Sequence, residues 1–367
     1  MKIFPVILLF LSLLSFGQSG SAWHHYRGNN ILNGVSQSTF SPPIRLLWKF
    51  KTGDEIKSSP IIAENKVFVG SMDGNLYTLD LKGKLLWKFK TEASIEAPPV
   101  YFRGTIVVGS MDGTVYAINA STGKLKWKFV TGGQITGGAN WMTDGTGLQL
   151  LVPSYDYNLY CLNFETGKQR WKAETNNYLN GSAATDNRKV TIGGCDSYLH
   201  IIDARNGKSL AKIDIGTYVA ESTAISGNLA FAGDYDGGFT CVDINTYKKV
   251  WKFENPKMTP FLSSPAISGN RVVIGSHDRK VYCFNKQDGK ILWTYSSFGK
   301  IDSSPVIIRN QVLIGSNDGI LHFINLQTGK KIYNYEIGVA MKSTPAITNS
   351  LMITGGKDGY LYAFKGK

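Results

Sequence analysis

A repeat of about forty residues constrains this chain more than any other feature, because such a period is typical of stacked or radially arranged structural units. The tryptophans that mark it are Trp48, Trp87, Trp127, Trp171, Trp251 and Trp293. Ala211 and Tyr333 complete the series, and successive members lie 39, 40, 44, 40, 40, 42 and 40 residues apart. The 367-residue chain therefore holds eight copies of one unit.

Each unit reads as a succession of short β-strands separated by turn residues. In the first unit, residues 67–69 are β-branched and aromatic, and Asp73-Gly74 is a tight hairpin signal. An aspartate stands at this hairpin position in every unit: Asp73, Asp112, Asp156, Asp196, Asp236, Asp278, Asp318 and Asp358. We expect each to cap its own hairpin rather than to bind a metal. Four strands in about forty residues, without helical periodicity, predict one propeller blade per unit.

The two ends of the repeat predict how the ring closes. Three strands follow each tryptophan-bearing strand, and the last unit stops at Lys367 before its fourth strand. The strand at 46–51 precedes the first complete unit, and its pairing with 361–365 would remove two open edges. The sequence thus predicts an all-β fold: an eight-bladed β-propeller of four-stranded antiparallel blades, closed by an N-terminal strand that pairs with the C-terminal blade. The propeller is expected over 46–367, after a lead-in at 23–45.

Residues 1–22 are typical of a cleavable secretory signal. Met1-Lys2 precedes an apolar run over 3–16, which is too short to cross a bilayer, and small residues follow it. The first cysteine is Cys161, so no lipid-anchor cysteine lies near the expected cleavage site. We therefore expect an exported protein, periplasmic or secreted, without a lipid anchor and without a transmembrane segment in the mature chain.

The formal net charge of +13 is distributed evenly along the repeat. Lysines recur after the tryptophans, as at Lys88 and Lys128, and in the glycine-lysine turns, as at Lys84 and Lys124. This spacing indicates a solvated surface rather than one concentrated basic site, and we expect no nucleic-acid partner. An exported basic protein meets anionic lipids or polysaccharides, so binding of an envelope polysaccharide or polyanion stays an alternative.

Residues 117–127, which read AINASTGKLKW, resemble the tryptophan-docking motif of pyrroloquinoline-quinone (PQQ) type propellers. Similar stretches end at Trp171, Trp293 and Tyr333, and residues 23–29 resemble the lead-in of such propellers. The resemblance implies one docking residue per blade between neighbouring sheets. The docking residues so implied are Trp48, Trp87, Trp127, Trp171, Trp251, Trp293 and Tyr333. Cys161, Cys241 and Cys283 hold the small buried position of Ala117, and Cys195 precedes Asp196; we expect all four cysteines to be free, mostly buried thiols.

Propellers of this type include dehydrogenases as well as scaffolds, so the fold alone does not decide the function. A quinoprotein would need oxygen ligands for calcium, a carboxylate base and flat surfaces around PQQ. Aligning the units places candidate side chains where the innermost strands begin, at Lys57, Glu96, Asn180, Glu221, Asp302 and Lys342. The same alignment puts Phe261 at this position of the sixth unit. No motif identifies a catalytic residue or a metal ligand.

The expected function is that of a non-catalytic, exported and monomeric scaffold that binds a protein partner. The resemblance extends to scaffolds of outer-membrane barrel assembly, which implies an envelope assembly complex as the partner. Two alternatives stay open: a PQQ- and calcium-dependent oxidoreductase of alcohols or sugars, and a polysaccharide- or polyanion-binding envelope module. The alcohol dehydrogenases of the resembled family carry an adjacent cysteine pair and long insertions over the cofactor, and this chain has neither.

Overall fold

Each repeat forms one antiparallel sheet in the computed structural model, which describes residues 22–367. The eight sheets are the eight predicted blades, so the predicted fold class is confirmed. A short strand of the lead-in, Val35–Ser36, adds a fifth, parallel strand to the seventh sheet. The expected signal lies, apart from Ala22, outside the described residues. No helix within 22–367 is long and apolar enough to span a membrane.

The strands are short and follow one another within each blade. Before the first blade come the 3₁₀ turn Tyr26–Gly28, β1 (Val35–Ser36) and β2 (Arg45–Lys51). Blades 1 and 2 contain β3 (Ile61–Ala63), β4 (Lys66–Gly70), β5 (Asn75–Asp80), β6 (Leu85–Lys90), β7 (Val100–Phe102), β8 (Thr105–Gly109), β9 (Thr114–Asn119) and β10 (Leu125–Val130). Blades 3 and 4 contain β11 (Asn140–Thr143), β12 (Leu148–Pro153), β13 (Asn158–Asn163), β14 (Gln169–Glu174), β15 (Ala184–Thr185), β16 (Lys189–Gly193), β17 (Tyr198–Asp203) and β18 (Ser209–Asp214).

The remaining blades repeat this pattern. Blades 5 and 6 contain β19 (Ala224–Ser226), β20 (Leu229–Gly233), β21 (Gly238–Asp243), β22 (Lys248–Glu254), β23 (Ala266–Ser268), β24 (Arg271–Gly275), β25 (Lys280–Asn285) and β26 (Ile291–Ser296). Blades 7 and 8 contain β27 (Val306–Ile308), β28 (Gln311–Gly315), β29 (Ile320–Asn325), β30 (Lys331–Glu336), β31 (Ala346–Ile347), β32 (Leu351–Gly355) and β33 (Tyr360–Lys365). The three inner strands of each blade are mostly buried, whereas the outermost strand alternates: in β6, Trp87 and Phe89 are half-buried and Lys88 and Lys90 are exposed. The repeated lysines therefore lie in solvent.

The ring closes through β2, as the sequence predicts. This strand pairs antiparallel with β33, from Arg45 opposite Lys365 to Lys51 opposite Tyr360. It supplies the fourth strand of blade 8, so the first and last parts of the propeller share one sheet. Closure leaves β33 hydrogen-bonded on both sides and removes an exposed edge.

The lead-in before β2 contacts the innermost strand region of every blade. Backbone hydrogen bonds or pairings reach it from Ile62, Tyr101, Thr185, Ile225, Ile267 and Ile307, in blades 1, 2, 4, 5, 6 and 7. In blade 3 Asn140 donates to the carbonyl of Asn30, and in blade 8 the carbonyl of Thr348 accepts from Ser38. The lead-in therefore lies across the centre of the ring and closes one end of the central channel.

Six indoles connect neighbouring blades in the same way. Each Nε1–H donates to a backbone carbonyl in a turn of the next blade, at Leu81, Ala120, Phe164, Ala204, Lys286 and Leu326. The ring lies over a glycine of that turn. At Gly167, where φ is +69°, an added Cβ would come within 2.5 Å of the Trp127 ring. Both the positive φ and the close approach therefore require glycine.

The junction between blades 4 and 5 departs from this pattern at two positions together. Ala211 replaces the indole, and Tyr247 stands where the contacted glycine would be. Both pack against the same group of buried residues. At this junction blade 4 supplies the small side chain and blade 5 supplies the large one, the reverse of the tryptophan junctions. The space between these blades is therefore filled without tryptophan.

Small residues face the docking indoles across the outer strand pair. Trp127 is opposite Ala117, Trp171 is opposite Cys161, and Trp293 is opposite Cys283. All four cysteines are free, and Cys161, Cys241 and Cys283 are buried. Burial raises the pKa of these three thiols to about 12, so they are unreactive small core residues rather than nucleophiles.

Seven of the eight hairpin aspartates bind their own turns, as predicted. The prediction is wrong for Asp236 in blade 5, where Asp234 instead accepts hydrogen bonds from the amides of Asp236 and Gly238, at 3.1 and 2.6 Å. Asp73 accepts a hydrogen bond from the Asn75 amide at 2.8 Å and another from the Tyr77 hydroxyl at 2.6 Å. In blade 4 His200 takes the position of the tyrosine and its Nε2 lies 2.7 Å from Asp196. The aspartates that bind their turns are thus structural caps, and His200 serves as a packed hydrogen-bonding ring.

Candidate functional site

The six predicted side chains line one cavity at the centre of the ring. We call it the central cup; it has a volume of about 170 Å³ and contains Lys57, Glu96, Asn180, Glu221, Asp302 and Lys342 in its wall. It opens on the side where the innermost strands begin, which we call the mouth face. Tyr26 of the lead-in lines it as well, and its hydroxyl lies 3.2 Å from the Ser264 hydroxyl. The lead-in thus supplies the floor of the cup.

Strand alternation explains which residues reach the cup. Ser59, two positions after Lys57, also lines the cavity, whereas the intervening Ser58 hydroxyl donates to the carbonyl of Ala97 in the next blade. Side chains at that intervening position must be small because neighbouring backbones meet there. A Cβ added to Gly181 would lie 2.5 Å from the Glu221 backbone. Glu221 holds the same position yet reaches the cavity.

The alignment of the sixth unit was wrong by one residue at Phe261. The Phe261 amide donates to the carbonyl of Asp234, just as the Ile301 amide donates to Ser276 in the next blade. Phe261 is fully buried and belongs to the core, so Leu262 holds the position equivalent to Lys57. The loop before Phe261 is longer than in other units, since Trp251 and Trp293 are 42 residues apart, and this shifts the register.

Three of the charged groups of the cup, Lys57, Glu96 and Asp302, already have partners. Lys57 Nζ lies 2.9 Å from Glu96 Oε1, in an ion pair between blades 1 and 2. Asp302 accepts hydrogen bonds from His277 Nε2 and, at 2.8 Å, from Asn317 Nδ2. Burial alone would raise the pKa of Asp302, but these hydrogen bonds and the charge of Lys342 lower it overall. Asp302 is therefore ionised at neutral pH.

Glu221 and Lys342 are the charged groups of the cup that no neighbour satisfies. Burial raises the pKa of Glu221 to about 7, against the attraction of Lys342. Burial also opposes the charge of Lys342, yet Glu221, Glu96 and Asp302 together raise its pKa. Neither side chain makes a hydrogen bond or an ion pair with another residue of 22–367. The two charges attract each other across the cavity without contact.

The Glu221→Gln variant should be more stable than the parent protein in alkaline but not in acidic solution. The pKa of Glu221 is about 7 in the folded protein and 4.5 in the unfolded chain, so the folded state holds this proton more tightly. The stability that the proton contributes is therefore lost as the pH rises from 4.5 to about 7. Ionisation then costs about 1–3 kcal/mol of unfolding free energy above pH 7, which the amide avoids. Thermal unfolding from about pH 5 to about pH 8 tests this. The exposed Glu92→Gln is the control, and an equal gain at both pH values would contradict the assignment.

Two aromatic residues of the cup were not among the predicted site residues. Tyr26 belongs to the lead-in, whose path the repeat does not define. Tyr155 lies in the hairpin between β12 and β13, and its amide donates to the carbonyl of Gln134 in the loop above the cup. Burial raises the pKa of the Tyr155 hydroxyl. The position of Tyr155 in the sequence could have indicated its place at the cup. It lies in the hairpin between the second and third strands of its blade, and in every blade this hairpin lies on the mouth face.

An arc of exposed apolar side chains borders the cup on the mouth face. We call it the aromatic arc, and its members are Tyr157, Tyr178, Tyr218, Tyr235, Met258 and Phe298. Phe298 is 84% exposed and Met258 is 70% exposed. The Tyr157 and Tyr178 rings lie 5.3 Å apart, and Tyr218 and Tyr235 lie 6.1 Å apart. Exposed aromatic residues in such a group mark an interaction surface more often than isolated ones do.

The aromatic arc is confined to loops of blades 3 to 7. The position of Tyr178 is held by Glu55 in blade 1, Ser94 in blade 2 and Ala340 in blade 8. Other exposed apolar residues, such as Leu85 and Leu86, recur on the outermost strand of most blades and follow the repeat. The arc does not follow the repeat, so the fold alone does not account for it.

Two carboxylates of the cup that a calcium–quinone centre could use already have protein partners. No group of three or more histidine, cysteine, aspartate or glutamate side chains within 22–367 has the spacing of metal ligands. Glu96 is held by Lys57, and Asp302 is held by His277 and Asn317, so their oxygens are already engaged.

Eight antiparallel blades, six of which carry an indole over a turn glycine of the next blade, define a β-propeller with repeats of the PQQ type. Two overlapping segments, 45–184 and 155–367, match the family described as outer membrane protein assembly factor BamB. The chain belongs to that family.

Solved structures with the same architecture come from proteins of different kinds. BamB from Moraxella catarrhalis is 19% identical, with a TM-score of 0.74 over 88% of this chain and 99% of that one. The computationally designed Ika8 protein is 18% identical, with a TM-score of 0.76 over 88% of this chain and 99% of that one. A europium-containing methanol dehydrogenase is 13% identical, with a TM-score of 0.76 over 95% and 98%. At these identities the similarity establishes the fold, and no curated protein matches the sequence.

Proposed function

We propose that this protein is a non-catalytic scaffold of the cell envelope that binds another protein through its mouth face. The observation that carries the proposal is the aromatic arc on loops of blades 3 to 7. Membership of a family described as an outer membrane protein assembly factor supports a role in that process. The proposed state is an exported monomer, periplasmic or secreted.

The arc has the composition of a protein-binding surface. Tyrosine is enriched among residues that dominate interface energies, and an aromatic side chain that becomes buried removes roughly 150–250 Å² from water. Lys257 precedes Met258, and Lys300 follows Phe298 by two positions, so cations flank the apolar surface. The partner surface should therefore be apolar with an acidic margin. Rigid blades hold these loops in place, which reduces the entropy lost on binding.

Site-specific photocrosslinking in the native host tests this proposal. A photoreactive amino acid at Tyr178 or at Phe298 should crosslink to a component of outer-membrane protein assembly. The same group at Ser121, an exposed turn residue on the opposite face, should not. Equal yields from both faces, or a partner outside envelope assembly, would overturn the proposal.

A triple variant of the aromatic arc tests whether these side chains are needed to bind the partner. Tyr178→Ser, Tyr218→Ser and Phe298→Ser together should lower partner recovery by about tenfold or more, because all three side chains are exposed and available to a partner. The unfolding temperature should hardly change for the same reason. The control is the pair Leu85→Ser and Leu86→Ser on the outermost strand.

Two further measurements test the alternative functions. Saturable PQQ binding with turnover of an alcohol or sugar would favour the oxidoreductase alternative. Retention on heparin at physiological salt would favour the polyanion alternative.

A further inference from the structure

Two opposite charges face the central cup without a protein partner. Lys57 and Asp302 show how the other charges are treated, since each has a close hydrogen-bonding or ionic neighbour. Glu221 and Lys342 have none, although both line the same cavity. Both residues are half-buried, and a charge with reduced access to water and no partner is unfavourable. The two groups do not approach each other to relieve this cost. The space between them is therefore suited to a third group that contacts both.

The wall of the cup also contains a neutral hydroxyl without a hydrogen-bond partner. Ser182 lines the cup, is only 2% exposed, and its Oγ has no hydrogen-bond partner. Its own amide is occupied, donating to the Ser222 hydroxyl at 2.8 Å. Buried hydroxyls are normally paired, so Ser182 provides an additional site for a ligand or an ordered water.

The shape of the cavity limits what can bind. Its volume of about 170 Å³ is more than ten times the ~10–15 Å³ of cavity that one water molecule needs. Tyr26 closes the floor through its contacts with Ser264 and Ser304, so a ligand can approach only from the mouth face. The backbone near Gly181 is in close contact with the next blade, which keeps this wall from moving outward. The occupant must be a small molecule.

We propose that the central cup binds a small zwitterion of the amino-acid type, with its anionic group on Lys342 and its ammonium group on Glu221. Ser182 supplies a further hydrogen bond. A zwitterion matches the two unsatisfied charges with opposite charges and does not change the net charge of the site, whereas a simple anion or a simple cation does. The site is separate from the aromatic arc, and the proposal does not depend on the scaffold function.

A series of ω-amino acids measures the spacing between the two charges. Glycine, β-alanine, 4-aminobutyrate and 5-aminovalerate are titrated into the full chain by calorimetry. One of them should bind with a Kd below about 1 mM. Butylamine and butyrate, which each lack one charge, should bind about tenfold more weakly or worse. If no zwitterion binds, or if a neutral polyol such as erythritol binds equally well, the proposal is wrong.

Single substitutions assign the two ends of the ligand. Glu221→Gln and Lys342→Met should each lower the affinity for the best zwitterion by about tenfold or more, because each removes one charge partner. Lys300→Met and Glu92→Gln, on the mouth face outside the cup, should leave it unchanged. Butyrate should bind Glu221→Gln as well as it binds the parent protein. That result separates loss of one contact from loss of the folded cup.

The pH dependence provides a second readout. Glu221 faces Lys342, Asp302, Arg27 and Glu96, and it must be ionised to hold an ammonium group. Affinity should therefore fall by about tenfold or more between about pH 8 and about pH 5, where the ligand keeps both of its charges. Glu221→Gln should abolish this dependence. An unchanged profile in that variant would overturn the assignment of Glu221.

Discussion

Removing residues 22–51 should convert the protein into an insoluble or aggregating species. This deletion takes away β2, so β33 loses its partner along Tyr360–Lys365 and becomes an exposed edge. It also exposes the surface against which Trp23, Leu32 and Phe40 are buried. Each such side chain contributes about 1.5–3 kcal/mol, and the sum is comparable with the ~5–15 kcal/mol that stabilises a domain.

A shorter deletion separates the two roles of this segment. Without residues 22–41 the ring keeps β2 and should still close, but the floor of the cup is lost. We expect soluble protein with a markedly lower unfolding temperature, measured by circular dichroism and analytical ultracentrifugation. A chain that begins at Ala22 serves as the intact control. A soluble, monomeric and cooperatively unfolding protein without 22–51 would contradict closure by β2.

The ring could be predicted because its determinants lie within each repeat. Turn glycines, hairpin aspartates and docking tryptophans act on neighbours in the same or the next unit, so their spacing defines a blade without knowledge of the others. The leftover strand at 46–51 then predicted closure with 361–365. The sequence shows Ala211 in place of a tryptophan and Tyr247 in place of a turn glycine, but it did not show that these two residues compensate each other across one junction.

The cup could be predicted only in part. Its rim follows from the repeat, which is why six charged or polar residues were assigned to one site and the structure brings them together. The alignment was wrong at Phe261 because an insertion in the preceding loop shifts the register of the sixth unit. The floor could not be predicted, since Tyr26 contacts residues more than two hundred positions away through side chains that follow no period. Likewise, only the structure shows that Glu221 and Lys342 stay apart.

Arg27 has an exceptional environment among the basic residues of this chain. It is fully buried in the lead-in, where Nη1 donates to the carbonyl of Pro305 at 2.6 Å and Nη2 donates to the carbonyl of Pro265 at 2.7 Å. Gly34 leaves room for it, as an added Cβ there would lie 2.1 Å from Nη2. Burial lowers the pKa of Arg27 to about 10, so the guanidinium stays charged at neutral pH. Arg27 thus connects the lead-in to blades 6 and 7.

The Arg27→Met variant should lose about 3–5 kcal/mol of unfolding free energy. Replacing a buried charge by an apolar side chain can leave the unfolding free energy unchanged when the partners of that charge are replaced as well. Here the two buried carbonyls that accept from Arg27 remain, and they lose their hydrogen-bond donor. Arg27→Lys should lose less, because one ammonium can reach only one of the two carbonyls well. Chemical denaturation measures both, with Arg188→Met, an exposed ion-pair residue, expected to change stability by less than about 0.5 kcal/mol. Equal stabilities of Arg27→Met and Arg188→Met would show that the lead-in is held by its apolar residues and backbone alone.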